Sequence, residues 1–216
     1  VLTGIVSSTC VLTSKSGPVN AWTGTANYIP CWTLENNVQF PTLALNTVGL
    51  SSEETYSALT YAIQEGITHV DFHPGKERDG VAKYISQYGR KHLFLNTKIR
   101  KAPPGTSPTD AAELTQQQIE DDLKVLNVDY VDMLMLRDSP DEHVIQAQWA
   151  VLEQALRSGK TRSIGVINFC ERAMRYVLKT ANIKPAVHYH MLHVGMGKDA
   201  HGLRTFQESN GIRTFA

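Results

Sequence analysis

The sequence predicts an α/β fold of the (β/α)8 TIM-barrel type, carried as far as its seventh strand. Three observations predict it. The segments Thr68 to Pro74, Thr97-Lys98, Asp132 to Arg137 and Gly165 to Phe169 read as strand ends at barrel spacing. From Pro41 onward, short strands and amphipathic helices alternate strictly, and each right-handed βαβ crossover adds one parallel strand. Tyr130 to Leu136 is a nearly continuous apolar run, as a parallel strand covered on both faces requires. In such a fold the chemistry gathers where strands end.

Taken in order, residues 1–40 form an N-terminal arm that is rich in Ser, Thr, Gly and aromatics and carries Lys15 and Glu35 as its only charges. It reads either as an arm lying on a partner or as irregular coil on its own domain. Trp32 to Phe40 reads as a hairpin turning at Asn36-Asn37. The barrel domain follows over 41–216. Leu43 to Val48 is its first strand, and Ser51 with Glu54 forms a capping box for a helix through Gln64. Gly66 ends that helix, and the next strand runs to Asp71. A short helix, Gly80 to Tyr88, leads to the strand His92 to Lys98. Three prolines and a glycine keep Lys101 to Pro108 in a loop. Thr109 opens the longest helix, in which Leu114, Ile119, Leu123 and Leu126 are the expected buried stripe. Strand Tyr130 to Leu136, helix Val144 to Ser158, strand Arg162 to Val166, helix Glu171 to Ala181, strand Ala186 to Met191, helix Ala200 to Asn210 and strand Ile212 to Phe215 complete the chain. Seven strands wind a barrel without closing it, so it reads as truncated after the seventh strand, incomplete or covered at the gap by something else.

With 42% apolar and 19% charged residues among 216, the composition is that of a soluble globular protein. Zero net charge, no basic block and no aromatic nucleic-acid motif argue against nucleic acid as a partner. Cys10, Cys31 and Cys170 are too scattered for a disulfide framework or a metal site and read as reduced or buried thiols. No apolar run approaches the ~18 residues of a membrane span. Peripheral association with a membrane complex stays open, and so does the compartment, cytoplasm or organelle interior. Val1 at the start leaves processing and import open as well.

The assembled segments resemble the aldo-keto reductase superfamily. The matching stretches are Phe40 to Thr47, His69-Val70-Asp71, Phe94 to Lys98, Asp121 to Leu126 with Asp129 to Asp132, Gly159 to Phe169 and Lys184 to Val187. The resemblance implies hydride transfer from NADPH to a carbonyl, with an Asp, a Lys, a Tyr acid and a His. A Lys ammonium held by the Asp favours ionisation of the Tyr hydroxyl, which protonates the nascent alkoxide. By position the Asp falls on Asp71 and the Lys on Lys98. No Tyr stands between Asp71 and Val81, and Arg137 occupies the His position, where an arginine cannot serve as an acid at neutral pH. On the cofactor side Asn46 replaces a glycine, Ile167 replaces a serine beside the retained Asn168, and Tyr189 replaces a glutamine. The family's adenosine-phosphate pocket follows the seventh strand, where this chain ends.

Asp71, Lys98 and Arg137 are therefore expected to converge at the mouth of the barrel, as an inherited ion pair or as a remodelled anion pocket; the first reading is preferred. His73 could replace the lost acid, whereas Tyr84 and Tyr88 sit on a helix, away from the strand-end loop. His188, His190 and His193 invite a metal, but ordinary packing is the simpler reading. Gly195 to Lys198 lacks the spacing of a phosphate loop. The reading that follows leans away from an enzyme: a degenerate member without a cofactor, acting as an accessory or regulatory subunit that binds other proteins. Some members of this fold serve in that way. The alternative is an NADP-dependent oxidoreductase reducing a carbonyl with substitute residues, and a metal-assisted hydrolase is a minor third.

Overall fold

The computed structural model describes residues 29–216; the arm expected over 1–40 lies, up to residue 28, outside the described residues. A hairpin comes first, β1 (Cys31–Thr33) paired antiparallel with β2 (Gln39–Pro41). Asn37 takes the left-handed conformation its turn needs, at φ 60°. Of the three cysteines expected as thiols, Cys170 is free and exposed, and Cys10 lies outside the described residues.

Seven strands then form one parallel sheet in sequence order: β3 (Ala44–Asn46), β4 (His69–Phe72), β5 (Phe94–Ile99), β6 (Met133–Arg137), β7 (Ile164–Ile167), β8 (Val187–Tyr189) and β9 (Arg213–Phe215). The intervening helices are α1 (Ser52–Gln64), α2 (Lys76–Tyr88), α3 (Pro108–Leu126), α4 (Glu142–Arg157), α5 (Glu171–Thr180) and α6 (Leu203–Ser209). Three of them are started by side-chain caps. Ser51 and Glu54 close the expected capping box on α1, Ser107 caps α3 ahead of a proline in its first turn, and the Asp141 carboxylate accepts from His143 N and Val144 N to start α4. Gly80 is demanded by the crossing of α1 and α2, because a Cβ there would lie 2.4 Å from Ser52 O.

Strand alternation sorts the chain into two cores. Val70, Phe72, Leu95, Leu134, Leu136, Ile164 and Val166 face outward, and helix residues such as Leu59, Ile119, Trp149 and Met174 cover them. Phe94, Met133, Met135, Ile167, Val187 and Phe215 face inward, joined from below by Leu34, Val38 and Phe40 of the hairpin. The curl of the sheet brings its far strands together: Phe215 on β9 stacks on His69 of β4 at 5.5 Å and meets Phe40 edge-on at 5.1 Å.

One expected core residue is misplaced. Leu114 is 48% exposed, and α3 buries Ala111, Thr115, Ile119, Asp122, Leu123 and Leu126 instead. Thr115 tolerates burial because its hydroxyl donates to Ala111 O at 2.7 Å and accepts from Gln148 Nε2 at 2.9 Å.

Candidate active site

The inward positions at the C-terminal end of the sheet are Asn46, Asp71, Lys98, Arg137, Ile167 and Tyr189. Parallel register sets them side by side: Asn46 pairs with Asp71, Arg137 with Ile167, and Ile167 with Tyr189. Asp71 and Lys98 are fully buried and form an ion pair. A buried ammonium is stable only with such a partner. Burial, and after it the nearby Arg137 charge, still hold the Lys98 ammonium well below the ordinary lysine range.

The pair does not stand alone. Asn46 Nδ2 donates to Asp71 Oδ2 at 3.1 Å and to the Tyr189 hydroxyl, also at 3.1 Å. That second bond spans the mouth from β3 to β8 and sets a phenol at the edge of the charged pair; Lys98 Nζ lies 5.9 Å from the centre of its ring. The Tyr189 oxygen accepts from Asn46, so its own proton remains available to a further acceptor. Sequence reasoning gave Asn46 and Tyr189 only as replacements on the cofactor side and did not pair them with each other. The available signal was that both stand at inward, C-terminal strand positions, where two polar side chains have each other within reach.

The other candidates fall elsewhere. Arg137 lines a cavity of about 350 Å³ with Lys98, Arg100, Lys101 and Asp138. Asn168, in the left-handed region at φ 58°, ends β7 with an exposed side chain that has no hydrogen-bond partner among the described residues. His73 borders the same cavity, but its ring is tied to Glu77 at 3.0 Å, and Glu77 also accepts from Thr47 Oγ1 and Gly49 N. Tyr84 bonds His92 at 3.1 Å on the helix side, and the Tyr88 ring lies tilted against it at 4.9 Å.

His188 faces the helices, where its ring meets Phe169 N at 3.1 Å and the Gln207 amide at 2.7 Å; burial pushes its pKa down to about 3. His190 stacks on it at 4.6 Å, and His193 accepts from Gly195 N in a turn that spans Gly195 to Gly197. Among the described residues no helix is long and apolar enough to cross a membrane.

The model of the aldo/keto reductase family matches residues 39–216. The chain belongs to that family. Among curated relatives, morphine 6-dehydrogenase of Pseudomonas putida is 30% identical over 168 residues, covering 76% of this chain and 55% of its own length. Glyoxal reductase of Bacillus subtilis is 28% identical over 184 residues, covering 83% and 63%. The chain thus spans little more than half the length of such relatives. Among solved structures, an aldo/keto reductase from Brucella melitensis is 26% identical with a TM-score of 0.76, over 86% of this chain and 71% of that one. A Bombyx mori aldo-keto reductase solved with NADP, 24% identical, has the same fold with a TM-score of 0.71, over 86% and 65%.

These relatives overturn the expectation of a non-catalytic accessory subunit, because the aldo-keto reductases found beside this chain bear the names of oxidoreductases. The expectation of no cofactor loses its support with it. That expectation rested on the absent Tyr between Asp71 and Val81, on Arg137 at the His position and on the replacements at Asn46, Ile167 and Tyr189; in the structure the Tyr189 phenol stands beside the Asp71–Lys98 pair.

Proposed function

We propose that the chain is the carbonyl-reducing barrel of an NADP(H)-dependent oxidoreductase, with Tyr189 as its proton donor. The observation that carries this reading is the Asn46 amide, bonded at once to Asp71 Oδ2 and to the Tyr189 hydroxyl. A tyrosine oxygen fixed in this way presents its proton to a carbonyl oxygen entering the mouth. The Asn46 amide stays bonded to the oxygen that gives up the proton, and Lys98 Nζ lies 5.9 Å from the centre of the same ring. Asp71 keeps the Lys98 stem in place as the proton moves.

One residue present suits a nicotinamide cofactor: the side-chain amide of Asn168, exposed at the end of β7, is matched in donors and acceptors to a carboxamide. When bound, NADPH supplies the hydride. Asn168 would hold it, and the proton that completes the alcohol comes from the protein.

The test is NADPH consumption by the full chain with a panel of aldehydes and ketones, beside direct titration of NADPH binding. Tyr189→Phe should lower kcat by roughly 10²–10⁴-fold, the usual worth of a positioned acid, with NADPH affinity retained. Unchanged kcat would remove Tyr189 from the chemistry, and absence of NADPH binding to the wild-type chain would end the reading.

A further inference from the structure

We propose that the cavity beside the ion pair binds an anionic group of the substrate, so that the carbonyl compound reduced is one bearing a carboxylate or a phosphate. This deepens, and rests on, the carbonyl-reducing reading above. Its basis is the balance of charge around the cavity of about 350 Å³. Lys98 is matched by Asp71, Lys101 by Asp138 at 3.8 Å, and His73 by Glu77 at 3.0 Å. Arg100 and Arg137 have no carboxylate partner among the described residues. Two guanidinium groups are therefore unmatched in one recess, from the ends of neighbouring strands β5 and β6.

A second observation points the same way. Lys98 Nζ is completely buried, borders the cavity, and has no hydrogen-bond acceptor beyond its ion pair. Arg137, at the end of a strand that Lys98 adjoins through Met135, adds a like charge to it. An anion in the recess relieves that repulsion, and guanidinium forks match carboxylate and phosphate oxygens bidentately. Backbone at Arg100 is held by the Gln118 side chain, which accepts from Arg100 N at 2.9 Å and donates to Lys98 O at 2.9 Å. The strand end is thereby fixed while its guanidinium stays free. At this volume, near the low end for ligand cavities, the substrate is small. Lys98 is common to both sides, lining the recess and lying 5.9 Å from the centre of the Tyr189 ring, and a 2-oxo acid is the smallest compound that carries an anion beside its carbonyl.

The test separates this claim from the reductase reading by measuring binding without turnover. Calorimetry on the full chain uses oxamate, an unreactive carboxylate amide, then inorganic phosphate, with methyl oxamate as the neutral control. Oxamate or phosphate should bind saturably and methyl oxamate should not. Arg137→Gln and Arg100→Gln should each weaken binding by about tenfold or more, the worth of one charge-assisted bond, with circular dichroism reporting that both variants are folded. Binding of oxamate alone assigns a carboxylate; binding of phosphate alone assigns a phosphoryl group. No binding of either, or wild-type affinity in both variants, overturns the site. In turnover with NADPH, pyruvate should be preferred to acetone, and Arg137→Gln should lower that preference; equal preference in both proteins overturns the substrate class. Oxamate binding through the arginines without NADPH consumption on any carbonyl would instead remove the reductase reading.

Discussion

Two inward-facing layers, two residues apart on the same strands, meet burial in opposite ways. In the lower layer, His69 of β4 donates from Nδ1 to Pro41 O at 2.9 Å and accepts at Nε2 from Asn96 of β5 at 3.1 Å. Phe40, Phe94 and Phe215 surround the ring. Burial pushes its pKa down to about 3, and the layer is neutral. One step toward the mouth, Asp71 and Lys98 occupy the same faces of β4 and β5 and are charged, with a phenol and an amide at their edge. Neutral hydrogen bonding is the cheaper solution inside a protein, since a buried ion pair roughly breaks even against apolar packing. A charged layer placed beside one that shows the cheaper solution, and open to a cavity, points to chemistry rather than to stability.

The sharpest way to break that comparison is Lys98→Met. It should abolish NADPH-linked carbonyl turnover and, by leaving Asp71 buried without a counterion, lower stability by about 3–5 kcal/mol, read by urea unfolding. Adding Asp71→Asn should restore most of the stability and none of the turnover. A double variant as unstable as the single one would show that the pair is not what holds this layer.

The lower layer is sharpened by acid. His69 has a folded pKa of about 3 against an ordinary 6.5, and His188, behind the sheet, likewise. Between those values the unfolded chain binds protons that the folded chain refuses, so stability rises with pH over that window and is level above it. Each histidine should contribute roughly 1 kcal/mol of loss per pH unit on acidification, seen as a falling Tm between pH 6.5 and 4. His69→Leu should remove its share of the slope. At neutral pH it should cost about 1–3 kcal/mol, because Pro41 O and the Asn96 amide lose their partner. An unchanged slope in that variant would mean that His69 is not kept neutral by its surroundings.

How much of this was legible in the sequence follows from the range of the interactions. Strand and helix order, the Ser51 capping box and the Asn36-Asn37 turn are local, and periodicity displays them. Asp71 and Lys98 were legible because strand ends carry the chemistry in this architecture. The Asn46 to Tyr189 bond was not, since 143 residues separate its partners and only the curl of the sheet brings them together. Leu114 failed for a different reason: an apolar residue at the edge of a helical stripe lost its place to Thr115, whose hydroxyl is satisfied inside. The helix expected from Gly80 starts earlier, at Lys76, where Glu77 accepts from His73 N, Thr47 and Gly49.

The smallest expected effect bears most directly on how the charged layer works. Asn46→Ala removes the donor to Asp71 and to Tyr189 at a position close to solvent, so the loss of stability should be about 1 kcal/mol. If the amide acts through the phenol, turnover should fall in Asn46→Ala, and Asn46→Ala with Tyr189→Phe should be no slower than Tyr189→Phe alone, since both act on one hydroxyl. Additive losses in kcat would mean that Asn46 works on Asp71 alone, and the two sides of the mouth would then be separate features instead of one site.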